Sequence, residues 1–263
     1  MEVNYKMVEI GHEAKIAANV EIESFTVIGN DVEIGEGTWI GPHVTILDGV
    51  RIGKNCKIHS GAVLGGIPQD LKFKNEYSLL QIGDNVTVRE YCTLNRGTVA
   101  NRTTKIGDNA LIMAYVHIAH DCVIGANSII ANSVNLAGHV EVGDFVIIGG
   151  MSAVHQFVKI GPHAMIGGGS LVRKDVPPYI KAAREPIGFV GINSIGLKRR
   201  GFSADDVKLI QDIYRILFVK GYNTKQALEI INTTMPSSTH RDSILDFIKG
   251  ADRGIIRGFR ALS

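Results

Sequence analysis

The sequence predicts a mainly β fold: a parallel β-helix of hexapeptide repeats followed by a C-terminal α-helical domain. Three observations lead there. An aliphatic residue recurs at every sixth position between Ile10 and Val172, a spacing that neither a 3.6-residue helical face nor a two-residue strand alternation produces. The two interruptions of the series leave its phase intact. Beyond residue 200 the apolar period becomes helical, with Ser203 and Asp206 in capping-box spacing.

In such a β-helix each hexapeptide is one short strand and a turn, and three of them close a triangular coil. Residues eighteen apart therefore stack, about 4.8 Å along the axis. Each repeated aliphatic side chain points inward onto its counterpart in the next coil, and together they form a core that no single unit can bury alone.

The first repeats run unbroken from Ile10 to Leu64. A glycine often follows the aliphatic residue, as in Ile34-Gly35, Ile52-Gly53 and Ile124-Gly125, and is expected to supply the unusual φ of a tight corner. The position two before the aliphatic residue also faces the crowded interior and should be small. Cys56, Cys92 and Cys122 all fall there, so they read as buried core thiols, and neither a disulfide framework nor a cysteine zinc site fits them.

Gly65-Gly66-Ile67-Pro68-Gln69-Asp70-Leu71-Lys72 breaks the period. A loop thrown out from the scaffold is expected near 65–80. Ile82, Val88 and Leu94 restore the series, a second excursion covers 96–104, and the repeat then continues from Ile106. Pro177-Pro178 are expected to end the strand pattern, with a linker of small and basic residues after them. Val207, Ile210, Ile213, Tyr214 and Leu217 share one face of a first helix, and further helices are expected over 224–233 and 238–249. The chain thus divides into a solenoid over 1–189 and a helical domain over 190–263. The latter is barely large enough for a core of its own and is expected to pack on the solenoid.

Composition narrows the function classes. Hydrophobic residues make up 45% of the 263, which is ordinary for a soluble chain. A formal net charge of +2 is too small for nucleic acid to be the main partner. No apolar run is long enough to span a bilayer, and Met1 to Lys15 lacks the apolar stretch of a secretory leader. Membrane insertion and export are therefore not expected, and the expected compartment is the cytoplasm.

His117-Ile118-Ala119-His120-Asp121-Cys122 is the densest cluster of chemically capable residues. Ile118 holds the repeat phase, so His117, His120 and Asp121 fall at outward or corner positions. By the eighteen-residue rule Gly138 lies above His120, Gln156 above Gly138 and His139 above Asp121, with His155 beside Gln156. One strip of three coils carries all of them within about 10 Å along the axis. An outward histidine is usually solvated surface, and His12, His43, His59, His163 and His240 read so. Four of the nine histidines converging beside a carboxylate call for another explanation. Two chemistries are open. Solenoid histidines bind zinc in gamma-class carbonic anhydrases; alternatively one imidazole is a general base whose tautomer a carboxylate fixes. The adjacency of Asp121 to His120, and a bare amide at Gly138 suited to an oxyanion hole, favour the general base.

The His117 to Cys122 run, Leu136-Ala137-Gly138-His139-Val140, Gly149-Gly150-Met151-Ser152-Ala153-Val154-His155-Gln156-Phe157, Gln69-Asp70-Leu71-Lys72 and Gly196-Leu197-Lys198-Arg199-Arg200-Gly201-Phe202 resemble the UDP-N-acetylglucosamine O-acyltransferases that open lipid A biosynthesis. The resemblance covers essentially the whole chain. It implies a left-handed β-helix assembled as a homotrimer, with active sites in clefts between subunits. It implies transfer of an (R)-3-hydroxyacyl group from acyl carrier protein to the 3-hydroxyl of UDP-N-acetylglucosamine. His120 would be the base, Asp121 its orienting partner and Gly138 the oxyanion donor. Asp70, Lys72, His117, His139, His155 and Gln156 would hold the nucleotide sugar. Asn193, Arg199 and Arg200 would surround the nucleotide and its diphosphate, where a guanidinium fork suits phosphate oxygens.

Gly168 matches a chain-length stop of the family. It lies about 2.7 coils, or roughly 13 Å, beyond His120 along the axis, and is expected to leave the acyl groove open to a long donor. No metal or cofactor is implied beyond the 4'-phosphopantetheine arm of the donor. Lys159, Arg173 and Lys174 are candidates to receive the acidic carrier protein. Two positions depart from the family pattern: Ile195 stands where an acid is common, and Asn95 where a histidine is common.

Three other readings carry different expectations. A sister hexapeptide N-acyltransferase would normally bring an N-terminal uridine-binding domain, for which repeats starting at Ile10 leave no room. A gamma carbonic anhydrase-like enzyme would bind stoichiometric zinc through His117, His120 or His139. A non-catalytic scaffold would leave the histidine strip unexplained. Within the first reading, the same base would also serve a 3-amino analogue of the acceptor.

Overall fold

The structure, a computed structural model, describes residues 7–258; the ends of the two expected units, 1–6 and 259–263, and with them part of the expected non-leader start, lie outside those residues. Three sheets of mostly two-residue strands form the walls of a prism, with nine, eight and eleven strands among the described residues. The registers give the winding directly. Ile10 pairs with Ile28, Ile28 with Ile46 and Ile46 with Leu64, each eighteen residues on. The coil is left-handed.

Every repeat aliphatic from Ile28 to Val172 is buried, whereas Ile10 in the first coil is 45% exposed. At roughly 1.5–3 kcal/mol per buried side chain, this stack is what holds strands too short to be stable by pairing alone. The three cysteines occupy the inward slot and are fully buried. Burial pushes the Cys122 thiol up to about 12 and the Cys92 thiol up to about 11, so both stay protonated and inert at neutral pH.

The glycines after the aliphatics serve a different purpose from the one expected. Gly53 and Gly125 do not adopt positive φ. That conformation falls two residues later, on Asn55, Asn85, Asn109 and Asn127 at 53–57°, and asparagine tolerates it. What the glycines avoid is the next coil. A Cβ on Gly53 would lie 2.6 Å from the Gly83 carbonyl carbon, and one on Gly125 2.5 Å from the Asp144 amide.

Both excursions leave the solenoid at one corner, between the nine-stranded first sheet and the eight-stranded second. Leu64 pairs with Leu94 and Leu94 with Ile118, thirty and twenty-four residues apart instead of eighteen. The surplus is two hexapeptides and then one, which is why the phase survives. Asp121, His139 and Phe157 turn the same corner in the following coils, with φ of 60–65°. Loops and histidine strip therefore share one edge of the prism.

Pro177-Pro178 do not end the sheet. Ile180–Ala183 continues the third sheet in parallel with Met165–Ile166, then turns back as antiparallel Gly188–Ile192, which crosses the 189/190 division. The prolines sit at a corner, where no ladder N–H is needed, and Pro178 stacks against Gly161. Four helices follow: α1 (Ser194–Arg199), α2 (Ala204–Phe218), α3 (Thr224–Thr234) and α4 (Thr239–Lys249). The first was not foreseen, since six residues are too few to show a period. Helix α2 starts at the Ser203–Asp206 capping box and buries the five residues anticipated for it. It rests on the solenoid: Tyr214 Oη donates to the Pro178 carbonyl at 2.6 Å, and Phe189 stacks on Tyr214 and Phe218.

The histidines read as solvated surface divide. His12 is exposed, but His163 stacks between Phe145 and Tyr179 at the corner of the second and third sheets, and Phe202 and His240 close over that row from the helical side. Burial, with Arg200 nearby, lowers the His163 pKa to about 4. A folded-state value below the unfolded 6.5 means that the unfolded chain takes up the proton first. The contribution to stability is therefore whole above pH 6.5 and declines as the pH falls towards 4, by up to about 3 kcal/mol. Urea midpoints are expected to drop over that interval, and His163→Phe, which keeps the stack and removes the titration, is expected to flatten the drop. An equally steep decline in the variant would exclude His163 as its source.

Candidate active site

The site is built from turns of the first corner. His117 projects from the first sheet and its Nδ1 lies 2.8 Å from Thr93 Oγ1. Three residues on, the His120 ring lies across Gly138 of the next coil. A Cβ at Gly138 would stand 2.5 Å from His120 Cε1 and 2.7 Å from Nε2, so the imidazole occupies space that only glycine leaves. The Gly138 amide donates to no acceptor among the described residues.

His120 Nδ1 lies 2.8 Å from Asp121 Oδ2. Asp121 is 1% exposed, and its carboxylate also accepts from the Thr98 amide at 3.0 Å, the Thr98 hydroxyl at 2.6 Å and the Asn101 amide at 3.2 Å. Burial alone would raise the Asp121 pKa, but the hydrogen bonds from His120 and Thr98 outweigh it and bring the value down to about 2. An ionised carboxylate can only accept. His120 Nδ1 must therefore carry a proton, which fixes the tautomer of the neutral ring with its lone pair on Nε2, the one a general base requires.

His139 meets the His120 ring edge-on at 5.1 Å, its Nε2 is 3.7 Å from Asp121 Oδ2, and Phe157 stacks behind it at 4.6 Å. Burial lowers the pKa of His139 and of His117, so both are neutral near pH 7. A groove of about 470 Å³ leads from Asp121 and His139 along the second sheet, past Glu141 and Lys159, to Asp175 and Arg253. Gln156 is half-buried in the coil above Gly138, and exposed His155 lies 3.3 Å from Arg253. Asp70 accepts from the Lys72 amide at 2.9 Å in the first loop, and its charge acts on His139. Lys72 is exposed.

Comparisons with known proteins show the family of this chain. The profile of the family described as "Udp N-acetylglucosamine O-acyltransferase; Domain 2" matches residues 175–256, and that of the six-repeat bacterial transferase hexapeptide matches 31–66 and 103–138. The acyl-[acyl-carrier-protein]--UDP-N-acetylglucosamine O-acyltransferase of Sulfurihydrogenibium sp. (strain YO3AOP1) is 57% identical over 94% of this chain and 91% of its own. That of Aquifex aeolicus (strain VF5) is 56% identical over 96% and 97%. This chain belongs to the UDP-N-acetylglucosamine O-acyltransferase family. The crystal structure of a UDP-N-acetylglucosamine acyltransferase from Bacteroides fragilis 9343 superposes with a TM-score of 0.94 at 46% identity, covering 98% of this chain and all of that one. The chain is thus an O-acyltransferase, and no described helix is long and apolar enough to cross a membrane.

One chain of the O-acyltransferase does not gather every expected residue. Asn193, Arg199 and Arg200 stand with α1 at the corner of the second and third sheets. There Asn193 Nδ2 donates to the His163 carbonyl at 3.0 Å, and the Arg200 guanidinium covers the Phe145 ring at 5.3 Å. Gly168 turns the remaining corner, between the third and first sheets, against Gly150. The count of 48 residues from His120 is two coils and two further walls, so within one chain Gly168 bounds no groove beside His120. Of the two departures from the family pattern, Ile195 is exposed on α1 and Asn95 is buried opposite Gly66 beneath the loops.

Sequence reasoning missed Thr98, Asn101 and Thr104, the last accepting the Asp121 amide at 2.8 Å. Thr104 does stand in the small inward slot two before Ile106 and could have been read from the period; no period marks Thr98 and Asn101, whose only signal was that they fall in an excursion from the solenoid. The zinc alternative meets an obstacle here. Ligand atoms of His120, Asp121 and His139 lie within 4.8 Å of one another, but both Asp121 oxygens are already hydrogen-bonded and His120 Nδ1 is spent on one of them. A metal would have to break that network.

Proposed function

We propose that this enzyme transfers an (R)-3-hydroxyacyl group from acyl carrier protein to the 3-hydroxyl of UDP-N-acetylglucosamine, the first step of lipid A biosynthesis. The observation that carries the reading is the stacked His120–Asp121 pair over the free Gly138 amide. A sugar hydroxyl is a poor nucleophile at neutral pH, and His120 Nε2 takes its proton as the oxygen attacks the thioester carbonyl, an aid worth about 10²- to 10⁴-fold. The Gly138 N–H receives the oxyanion of the tetrahedral intermediate. Collapse expels the phosphopantetheine thiolate, which recovers the proton from the imidazolium. Ionised Asp121 stabilises that imidazolium, and a neutral His139 adds no charge to oppose it.

Asp70, Lys72, His117, His139, His155 and Gln156 share the His120 edge and hold the sugar nucleotide in this reading. Asn193, Arg199, Arg200 and Gly168 stand at the other two corners, and they reach a His120 site only from a neighbouring copy. That geometry supports a homotrimer with its active sites between subunits. Arg173, Lys174 and Arg257 rim a groove of about 330 Å³ floored by Leu171, Ile187 and Ile256; Glu185 lies 3.8 Å from Arg173 on the same rim, and the surplus of cations over apolar surface suits the acidic carrier protein. Lys159 lies in the other groove and faces Glu141 at 3.7 Å. The proposed substrates imply the cytoplasm.

The test is an acyl-transfer assay with a chain-length panel of hydroxyacyl carrier proteins and UDP-N-acetylglucosamine, with products identified by mass. A 3-O-acylated sugar nucleotide is expected; no transfer from any donor would reject the reading. The thioester is already activated, so the reaction needs no metal. Dialysis against EDTA is therefore expected to leave the rate unchanged. A rate lost on chelation and restored by zinc would revive the metal alternative.

A further inference from the structure

We infer that the second excursion loop is a clamp for the catalytic carboxylate, and that the Thr98 hydroxyl is its positioning group. The inference rests on the general-base reading of His120 and extends it to a residue outside the solenoid repeat.

Asp121 faces four hydrogen-bond donors, and the loop supplies three of them: the Thr98 amide, the Thr98 hydroxyl and the Asn101 amide. The fourth is His120 Nδ1, which shares Oδ2 with the Thr98 hydroxyl. Thr98 Oγ1 also accepts from the Ala100 amide at 3.3 Å. That bond occupies a lone pair and leaves the hydroxyl proton directed at Asp121. Thr98 is 7% exposed, so water does not substitute for either contact.

The loop is not needed to close a coil. Later coils turn the same corner at His120-Asp121, Gly138-His139 and Gln156-Phe157 with no insertion. It is anchored elsewhere by its own backbone, through Arg102 N–H to Thr98 O at 2.7 Å and Gly97 N–H to Leu79 O at 3.1 Å. It is also tied to the first excursion, where Glu76 Oε1 accepts the Val99 amide at 3.0 Å. The loop that carries Asp70 and Lys72 is thereby linked to the one that holds Asp121.

A carboxylate deprived of the Thr98 hydroxyl bond is more basic. It holds the protonated His120 ring more tightly and orients the neutral ring less well. The other ionisable groups facing the pair are His139 and, acting on His139, Asp70; Thr98→Val leaves both in place. Thr98→Val, close to isosteric, is expected to lower kcat about tenfold, the scale of one hydrogen bond to a charged group. It is also expected to move the acid limb of the kcat/KM profile to higher pH while changing KM for UDP-N-acetylglucosamine by less than about twofold. Thr98→Ser, which keeps the hydroxyl, is expected to restore the rate and the profile. Should Thr98→Val not yield folded protein, Thr98→Ala carries the same comparison.

Equal losses in Thr98→Ser and Thr98→Val, tracking a lower unfolding midpoint, would reduce the residue to a structural role and overturn the clamp. An inactive His120→Ala enzyme beside a Thr98→Val enzyme with wild-type kcat and acid limb overturns the clamp alone. A His120→Ala enzyme with wild-type turnover overturns the base assignment and the clamp with it.

Discussion

His120→Ala is expected to lose at least about 10²-fold in kcat, and as much as 10⁴-fold, while the fold stays intact. The ring is 8% exposed and sits at a corner of the solenoid, outside the inward aliphatic rows that carry the core. Its removal takes away the group placed to receive the hydroxyl proton without opening the core. Asp121 would keep its bonds to Thr98 and Asn101, so the carboxylate stays paired. The measurement is turnover at saturating UDP-N-acetylglucosamine beside an unfolding curve. A variant that unfolds like the wild type and turns over within tenfold of it would remove His120 from the chemistry.

Gly138→Ala is expected to lose about 10²- to 10³-fold in kcat, the usual effect of losing an oxyanion-hole donor. The backbone tolerates alanine there, since φ is not positive. The obstacle is steric: the new Cβ would lie 2.5 Å from His120 Cε1 and 3.2 Å from Nδ1, closer than non-bonded carbons approach. The ring has to swing away, which stretches its bond to Asp121 and moves Nε2, while the methyl group screens the amide. Overpacking of this kind lowers stability by about 1–3 kcal/mol, which an unfolding curve reads separately from kcat. Wild-type turnover in Gly138→Ala would mean that neither the amide nor the ring's resting place matters to the reaction.

The solenoid was legible because its information is local and periodic. An aliphatic residue at each sixth position, a small one two before it, and stacking at eighteen-residue intervals follow from the geometry of one coil. These put His120 under Gly138 and Asp121 under His139 without any long-range contact. The same arithmetic foresaw the three inert cysteines, and the helical period beyond residue 200 foresaw the buried face of α2. It misjudged Gly53 and Gly125, because the sequence shows a glycine but not whether the backbone or the coil above requires it. It also misread Pro177-Pro178, since a corner of this solenoid demands no ladder N–H.

What the sequence by itself determined was therefore the height of each residue along the axis and the adjacency of the hydrogen-bonded His120–Asp121 pair. Only the tertiary structure decided which edge of the prism a residue occupies relative to insertions and tail. That is why Thr98 came to grip Asp121, and why Asn193 and Arg200 stand away from His120 in a single chain; the wall of Gly168 already followed from its count of residues. The physical reason is that insertions of whole hexapeptides preserve phase but carry no period of their own. Their conformation is set by long-range hydrogen bonds such as Glu76 to Val99 and Thr98 to Asp121, which come into existence only once the coils have stacked.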